Sequence, residues 1–304
     1  MSLTSELRNE NSPLSKWFLE KASYIGYILV QKHNNHLAKQ TIIKPVDGTN
    51  FAKVGHAVTY FLRKYLHTLK RTSKMVLATD TRESLLLERP ETDWLKDTVA
   101  AWAIAKLKID ASYIYVTSQS IEEEAFKMLL LAQLEEFSRT GGISNLLRIS
   151  GVDTGNRKLL KPQSVNQNSE IRATILDIAQ IIKTIPESWE NLGFVPEEIK
   201  SNVTFPLSSR LKGADCQIIT YSNNNTCNFL VDIRTSAKRE PCDLNNLYQQ
   251  VAYFLLDEHN QHKISQLLWY YPRQQCILTY STYELFTDVN KIRREFNRFI
   301  RQNY

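Results

Sequence analysis

Apolar residues recur at helical spacing through the middle of this chain, and near residue 200 the pattern changes to short β-favouring runs. Between Phe51 and Lys70, the residues Phe51, Val54, Val58, Phe61, Leu62, Tyr65, Leu66 and Leu69 stand at helical spacing, with Arg63, Lys64 and Lys70 outside that stripe. This predicts an amphipathic helix with a basic outer side. Thr92 to Leu107, Ile121 to Arg139 and Ser169 to Ile185 carry the same period, the last through Ile171, Ile175, Ile178, Ile182 and Ile185. The Gly141-Gly142 pair and the polar run from Ser150 to Ser169 predict a loop or linker, and Pro186 and Pro196 bracket another break.

From Asn202 onward the text favours strands. NVTF, ADCQIITY and CNFLVDIRTS follow in close succession, with a strong turn signal at Ser222 to Asn225. Asp243 is placed to cap a helix whose apolar face is Leu244, Leu247, Tyr248, Val251 and Leu255. SQLLWYY and QCILTY then predict two further strands, and Val289 to Arg301 a basic helix. The expected class is mixed α/β (α+β), divided into an N-terminal segment 1–80 holding the first core helix, a mainly helical insertion 81–200, and a C-terminal core 201–304. No internal repeat is visible.

Composition narrows the partners. The 304 residues are 42% hydrophobic and 23% charged, ordinary for a folded globular protein. No stretch approaches the ~20 apolar residues of a membrane helix, and the N-terminus lacks a secretory pattern, so a cytoplasmic protein is expected. The net charge of +6 suits a polyanionic partner. Cys216, Cys227, Cys242 and Cys276 form no CxxC pair, and reduced thiols, some of them buried, are expected.

Two acids interrupt strand-like text, Asp215 at the start of the second strand and Asp232 within the third. An antiparallel hairpin could bring both to one end of the sheet, where a hard divalent cation would find carboxylate ligands. Strand alternation turns Asp232 and Arg234 to one side and Ile233 to the other. A carboxylate beside a fixed cation suits phosphoryl transfer. It is equally the content of an ion pair on an edge hairpin.

The string GADCQIITYSNNNTCNFLVDIRTS resembles the metal-binding hairpin of the PD-(D/E)xK nuclease superfamily. Gln249 and Tyr253 in YQQVAYFLLD resemble the Gln-x-x-x-Tyr motif of its RecB-like branch, and VGHAVTYFLR, from Val54 to Arg63, is similar to the glycine-led helix that opens such domains. The text GAD…LVDIRTS…LYQQVAYFLLD is similar to a group of bacterial proteins of that branch reading GADADLI…LIDIKTT…YQLLGYLLLD. The resemblance covers Asn202 to Tyr280 well and Phe51 to Lys70 loosely. It implies a restriction-endonuclease-like mixed sheet flanked by helices. It also implies Mg²⁺ or Mn²⁺ held by Asp215, Asp232 and the Ile233 carbonyl, with Arg234, Gln249 and Tyr253 completing the catalytic set.

Arg234 stands where the family has lysine. Arginine keeps the charge and can contact a phosphate bidentately, but it does not shed a proton at neutral pH. Lys238 shares its strand parity but lies ~13 Å further along an extended chain. Where an acid is expected on the opening helix this sequence has His56 and Thr59; Glu190, Glu197 and Glu198 are the substitutes at hand.

The expected activity is metal-dependent hydrolysis of DNA, with RNA a further option. The alternative is a nuclease fold without catalysis, serving as a nucleic-acid-binding or scaffold subunit. Arg63, Lys64, Lys212, Lys238, Arg293 and Arg294 are the expected nucleic-acid contacts. Protein partners or self-association stay open, and no membrane is expected. The cysteine spacings give no iron–sulfur ligand set. HNNH at His33 to His36 and HNQH at His259 to His262 space two imidazoles as zinc could use, but they sit in polar text without cysteine partners, so solvated histidines and no zinc are expected. The terminal helix, with Lys291, Arg293, Arg294, Arg298 and Arg301, reads either as a phosphate-tracking face or as a docked amphipathic helix.

Overall fold

A computed structural model describes residues 2–72, 93–96, 98–109, 112–149, 168–212, 214–222 and 227–304. Of the expected linker from Ser150 to Ser169, residues 150–167 lie outside the described residues, as do residues 223–225 of the expected turn at Ser222 to Asn225. The main helices are α1 (Leu3–Arg8), α2 (Pro13–Lys21), α3 (Ser23–Leu37), α4 (Phe51–Thr72), α5 (Val99–Leu107), α6 (Ile121–Thr140), α7 (Ser169–Ile182), α8 (Leu244–Leu256) and α9 (Val289–Asn303). Five strands, β1 (Glu198–Thr204), β2 (Asp215–Tyr221), β3 (Asn228–Ile233), β4 (Ile264–Tyr271) and β5 (Cys276–Ser281), form one sheet in sequence order. Among the described residues no helix is long and apolar enough to cross a membrane.

The chain divides into two compact units. One comprises residues 1–41, 196–234 and 238–304 and holds the sheet; the other comprises 42–195 and 235–237 and is helical. This differs from the division expected along the sequence, because the first 41 residues, which form α1 to α3, belong to the unit that holds the sheet. Their apolar residues Leu3, Leu7, Leu14, Phe18 and Leu29 share one core with Leu230, Leu247, Trp269 and Phe296.

In the sheet unit β1, β2 and β3 run antiparallel, β3 and β4 are parallel, and β4 and β5 are antiparallel. A parallel pair needs a crossover, and α8 supplies it between β3 and β4. Asp243 caps α8 by accepting from the Asn246 N–H at 2.7 Å. Every residue of β3 is buried, as a central strand covered on both faces requires. Helix α8 packs against α1, α3, α9 and the central strands. At Gly26 of α3 a Cβ atom would stand 2.7 Å from the Tyr248 hydroxyl, so glycine permits the close crossing of α3 and α8. Gln250 pins α8 to the sheet, its Nε2 donating to the Leu230 carbonyl on β3 at 2.6 Å and to the Leu268 carbonyl on β4 at 3.0 Å.

In the helical unit α6 is the central helix, packed by α4, α5 and α7. Ser120 caps its start, and Gly141 ends it at φ 73°. Because α6 is covered nearly all round, its polar residues are buried with its apolar ones, and each needs a partner. The carboxylate of Glu124 accepts from Lys64 Nζ at 2.7 Å and from the Ser118 hydroxyl at 2.6 Å. Glu135 accepts from the Tyr60 hydroxyl at 2.5 Å and from Arg139. The basic outer side expected of α4 is therefore corrected. Arg63 and Lys64 are buried, because α4 packs on both α6 and α7 and turns these cations toward the acids of α6.

Candidate metal centre and nucleic-acid contacts

The C-terminal end of β3 carries the candidate chemistry. Ile218 of β2 pairs with Val231 of β3, and one step outward Gln217 reaches across, its Oε1 accepting from the Ile233 N–H at 3.1 Å. Asp215 opens β2 opposite Thr204 of β1 and lies two residues beyond Gln217 toward this same end. Its side chain lies outside the described residues. Asp232 stands beside Trp269 of β4 and is 7% exposed.

Arg234 is the hub. Its Nε donates to Asp232 Oδ2 at 2.5 Å. Its Nη1 donates to Asn246 Oδ1 at 2.8 Å, and its Nη2 to Gln249 Oε1 at 3.0 Å and the Asn246 carbonyl at 3.4 Å. The amide of Gln249 is fully used, because Nε2 also donates to the Tyr253 hydroxyl at 3.2 Å and to the Thr4 hydroxyl at 3.1 Å. Asp232, Arg234, Gln249 and Tyr253 thus form one hydrogen-bonded chain. Asp232 on β3 and Arg234, the first residue past its end, meet one face of α8 at Asn246, Gln249 and Tyr253, positions i, i+3 and i+7.

Burial pushes the Asp232 carboxyl up, while the Arg234 guanidinium and the Ile233 N–H pull it down. Burial works against the charge on Arg234, but the contact with Asp232 leaves that guanidinium above its usual range. These two tendencies oppose each other, one toward a neutral acid and one toward an ionised pair. The ionised pair prevails at neutral pH, since arginine keeps its proton and a neutral acid would leave the buried guanidinium without a counter-charge.

Next to this pair lies a second buried group. The Tyr271 hydroxyl meets His33 Nδ1 at 3.0 Å, and close to it the Cys242 thiol contacts the Asp243 carbonyl at 4.0 Å. Asn34 clamps the Cys242 backbone from both sides, at 3.0 and 3.1 Å. Burial lowers His33 to about 4 and raises the Cys242 thiol to about 11, so the imidazole is neutral and the thiol protonated. The expectation of solvated histidines fails for HNNH, because this segment is helical within α3 and turns His33 inward, stacked on Tyr280. Only His36 of that pair is exposed. In HNQH, His259 is exposed and His262 Nδ1 contacts the Tyr221 hydroxyl at 2.6 Å.

The other expected residues divide. Lys212, Lys238 and Arg294 are exposed. Arg293 is corrected: it is buried on α9 with its guanidinium 4.6 Å from the Phe254 ring centroid, because α9 uses that face to pack on α8. Glu197 and Glu198 sit at the Tyr221 end of β2, opposite to the Asp215 end. Glu190, His56 and Thr59 belong to the helical unit, where the Thr59 hydroxyl donates to the Gly55 carbonyl at 2.9 Å. Among the described residues no group of three or more His, Cys, Asp or Glu is arranged to hold a metal.

Sequence reasoning missed Asn246, Thr4, Gln217 and the His33–Tyr271 contact beside Cys242. Asn246 had a signal, standing one helical turn before Gln249. Thr4 had none, since its part depends on α1 packing against α8. Comparisons with protein-family models, curated proteins and solved structures give no match.

Proposed function

We propose that the sheet unit is a restriction-endonuclease-like core of the PD-(D/E)xK type that hydrolyses phosphodiester bonds of DNA in the cytoplasm. The observation that carries this reading is the single hydrogen-bonded chain from Asp232 through Arg234 and Gln249 to Tyr253, which unites both motifs of the resemblance. The parallel β3–β4 crossover beside an antiparallel hairpin supports it.

The donors suit a hard cation: Asp232 offers a carboxylate and Ile233 a carbonyl at one strand end, with Asp215 on the neighbouring strand. Mg²⁺ or Mn²⁺ there would supply Lewis acidity and a bound water of lowered pKa. Arg234 sets a permanent positive charge where a phosphate gains negative charge, and it cannot act as the base. Gln249 and Tyr253 orient that guanidinium. Exposed Lys212, Lys238 and Arg294 add sequence-independent attraction to the backbone.

One observation favours a second reading, a nuclease fold that binds nucleic acid without cutting it. The guanidinium at the lysine position is tied to the metal-binding aspartate and to three further acceptors.

Incubation of the protein with single- and double-stranded DNA, and with RNA, in Mg²⁺ or Mn²⁺ separates the two. Cleavage of DNA that is lost in Asp232→Ala and Asp215→Ala is the expected result. Salt-sensitive, metal-independent binding that survives Asp215→Ala, with no cleavage by the wild type, replaces the first reading by the second.

A further inference from the structure

Arg234 spends its donors unusually for a residue that is to meet substrate. All three guanidinium nitrogens are engaged inside the protein, one on Asp232 and two on the neutral acceptors of Asn246 and Gln249. Thr4 holds Gln249 from the other side, so the acceptor cannot turn away without losing a second contact. Asp232 is 7% exposed, and Arg234 Nε lies 2.5 Å from its Oδ2. A divalent ion at that carboxylate would meet a like charge already in hydrogen-bond contact with it, in a setting where water screens weakly.

We infer that Arg234 is a built-in counter-cation that competes with the divalent ion for Asp232, and that a substrate phosphate releases it. This rests on the reading of Asp232 as a metal ligand. At rest the guanidinium neutralises the buried carboxylate and the metal binds weakly. A phosphodiester offers the same guanidinium a bidentate oxyanion in exchange. Arg234 then moves its charge from carboxylate to phosphate, and Asp232 is left for the metal. Metal and substrate each favour the binding of the other, because both oppose the same internal pair. The restraint by Asn246, Gln249 and Thr4 sets how firmly the resting pair holds.

Titration of the full chain with Mn²⁺, following free Mn²⁺ by electron paramagnetic resonance, reads this without any cleavage assay. Arg234→Met is expected to bind Mn²⁺ about tenfold or more tightly than the wild type. Asn246→Ala, which keeps the charge and loosens the clamp, is expected to fall between them and serves should Arg234→Met fail to fold. A short DNA duplex is expected to tighten Mn²⁺ binding in the wild type beyond the background seen with Asp232→Ala, and to give no such gain in Arg234→Met. Equal, Asp232-dependent affinity in all three proteins overturns the competition and leaves the metal site standing. Absence of Asp232-dependent binding in every protein overturns the metal site and the competition together.

Discussion

The helical unit and the sheet unit both bury charge, but they dispose of it differently. In the helical unit Lys64, Glu124 and Ser118 close on one another, and Glu135 is held below its usual range against burial by Arg63, the Tyr60 hydroxyl and Arg139. In the sheet unit the buried pair Asp232–Arg234 stands at a strand end, with Arg234 still 21% exposed and linked outward through Gln249 to Tyr253 and Thr4. A buried ion pair is thus a signal of function only through where it stands. The first set is closed within a helix bundle; the second leaves a charge partly open at a strand end.

The largest expected effect tests the closed set. Glu124→Leu leaves Lys64 buried without its acceptor and should lower unfolding free energy by about 3–5 kcal/mol in urea denaturation, whereas Lys64→Met combined with Glu124→Leu should recover most of that loss. Full stability of the single variant would show that water reaches Lys64 and would blur the contrast between the units.

Acid should strike the sheet unit through His33. Its folded pKa of about 4 lies below the unfolded 6.5, so the unfolded chain binds the proton first. Stability is complete above about pH 6.5 and falls as pH drops toward 4, by about 3 kcal/mol from this residue. In His33→Gln that part of the slope should vanish from denaturation curves taken across this window.

Next comes the pin between helix and sheet. Gln250→Leu leaves the Leu230 and Leu268 carbonyls without their donor and should cost about 1–3 kcal/mol, read as a lowered denaturation midpoint. The smallest effect on stability separates two neighbouring arginines. Arg294→Gln should change stability by less than about 0.5 kcal/mol yet make the salt dependence of DNA binding shallower by about one charge. Arg293→Gln should leave that salt slope as it is and disturb packing on Phe254.

The legible part of this molecule follows from the same distinction. The helices at 51–72, 121–140 and 289–303 are readable because their apolar residues repeat at helical spacing, and all five strands because runs of β-favouring residues stand between turn signals. Strand parity places Asp232 and Arg234 on one side and helical spacing puts Gln249 and Tyr253 on one face, but that the two pairs meet in one hydrogen-bonded chain follows from the packing of α8 on the sheet. Periodicity could not tell an outward cation from one paired in a crowded core. Arg63, Lys64 and Arg293 all lie off an apolar stripe and are nonetheless covered, since α4 and α9 each bury more than the stripe predicts. Nor could it find the contacts of His33 with Tyr271 or of Thr4 with Gln249, which join residues 238 and 245 positions apart in the chain.

The membership of residues 1–41 in the sheet unit sets an order of events during synthesis. Residues 42–195 are nearly continuous and can begin to pack as they emerge, but Leu3, Leu7, Leu14 and Phe18 lean on strands that begin at residue 198. At roughly 5–20 residues per second the ribosome leaves those side chains without their native cover for about ten to forty seconds. Those apolar side chains stay open to a chaperone for that interval, and Thr4 can reach Gln249 only once α8 has been made.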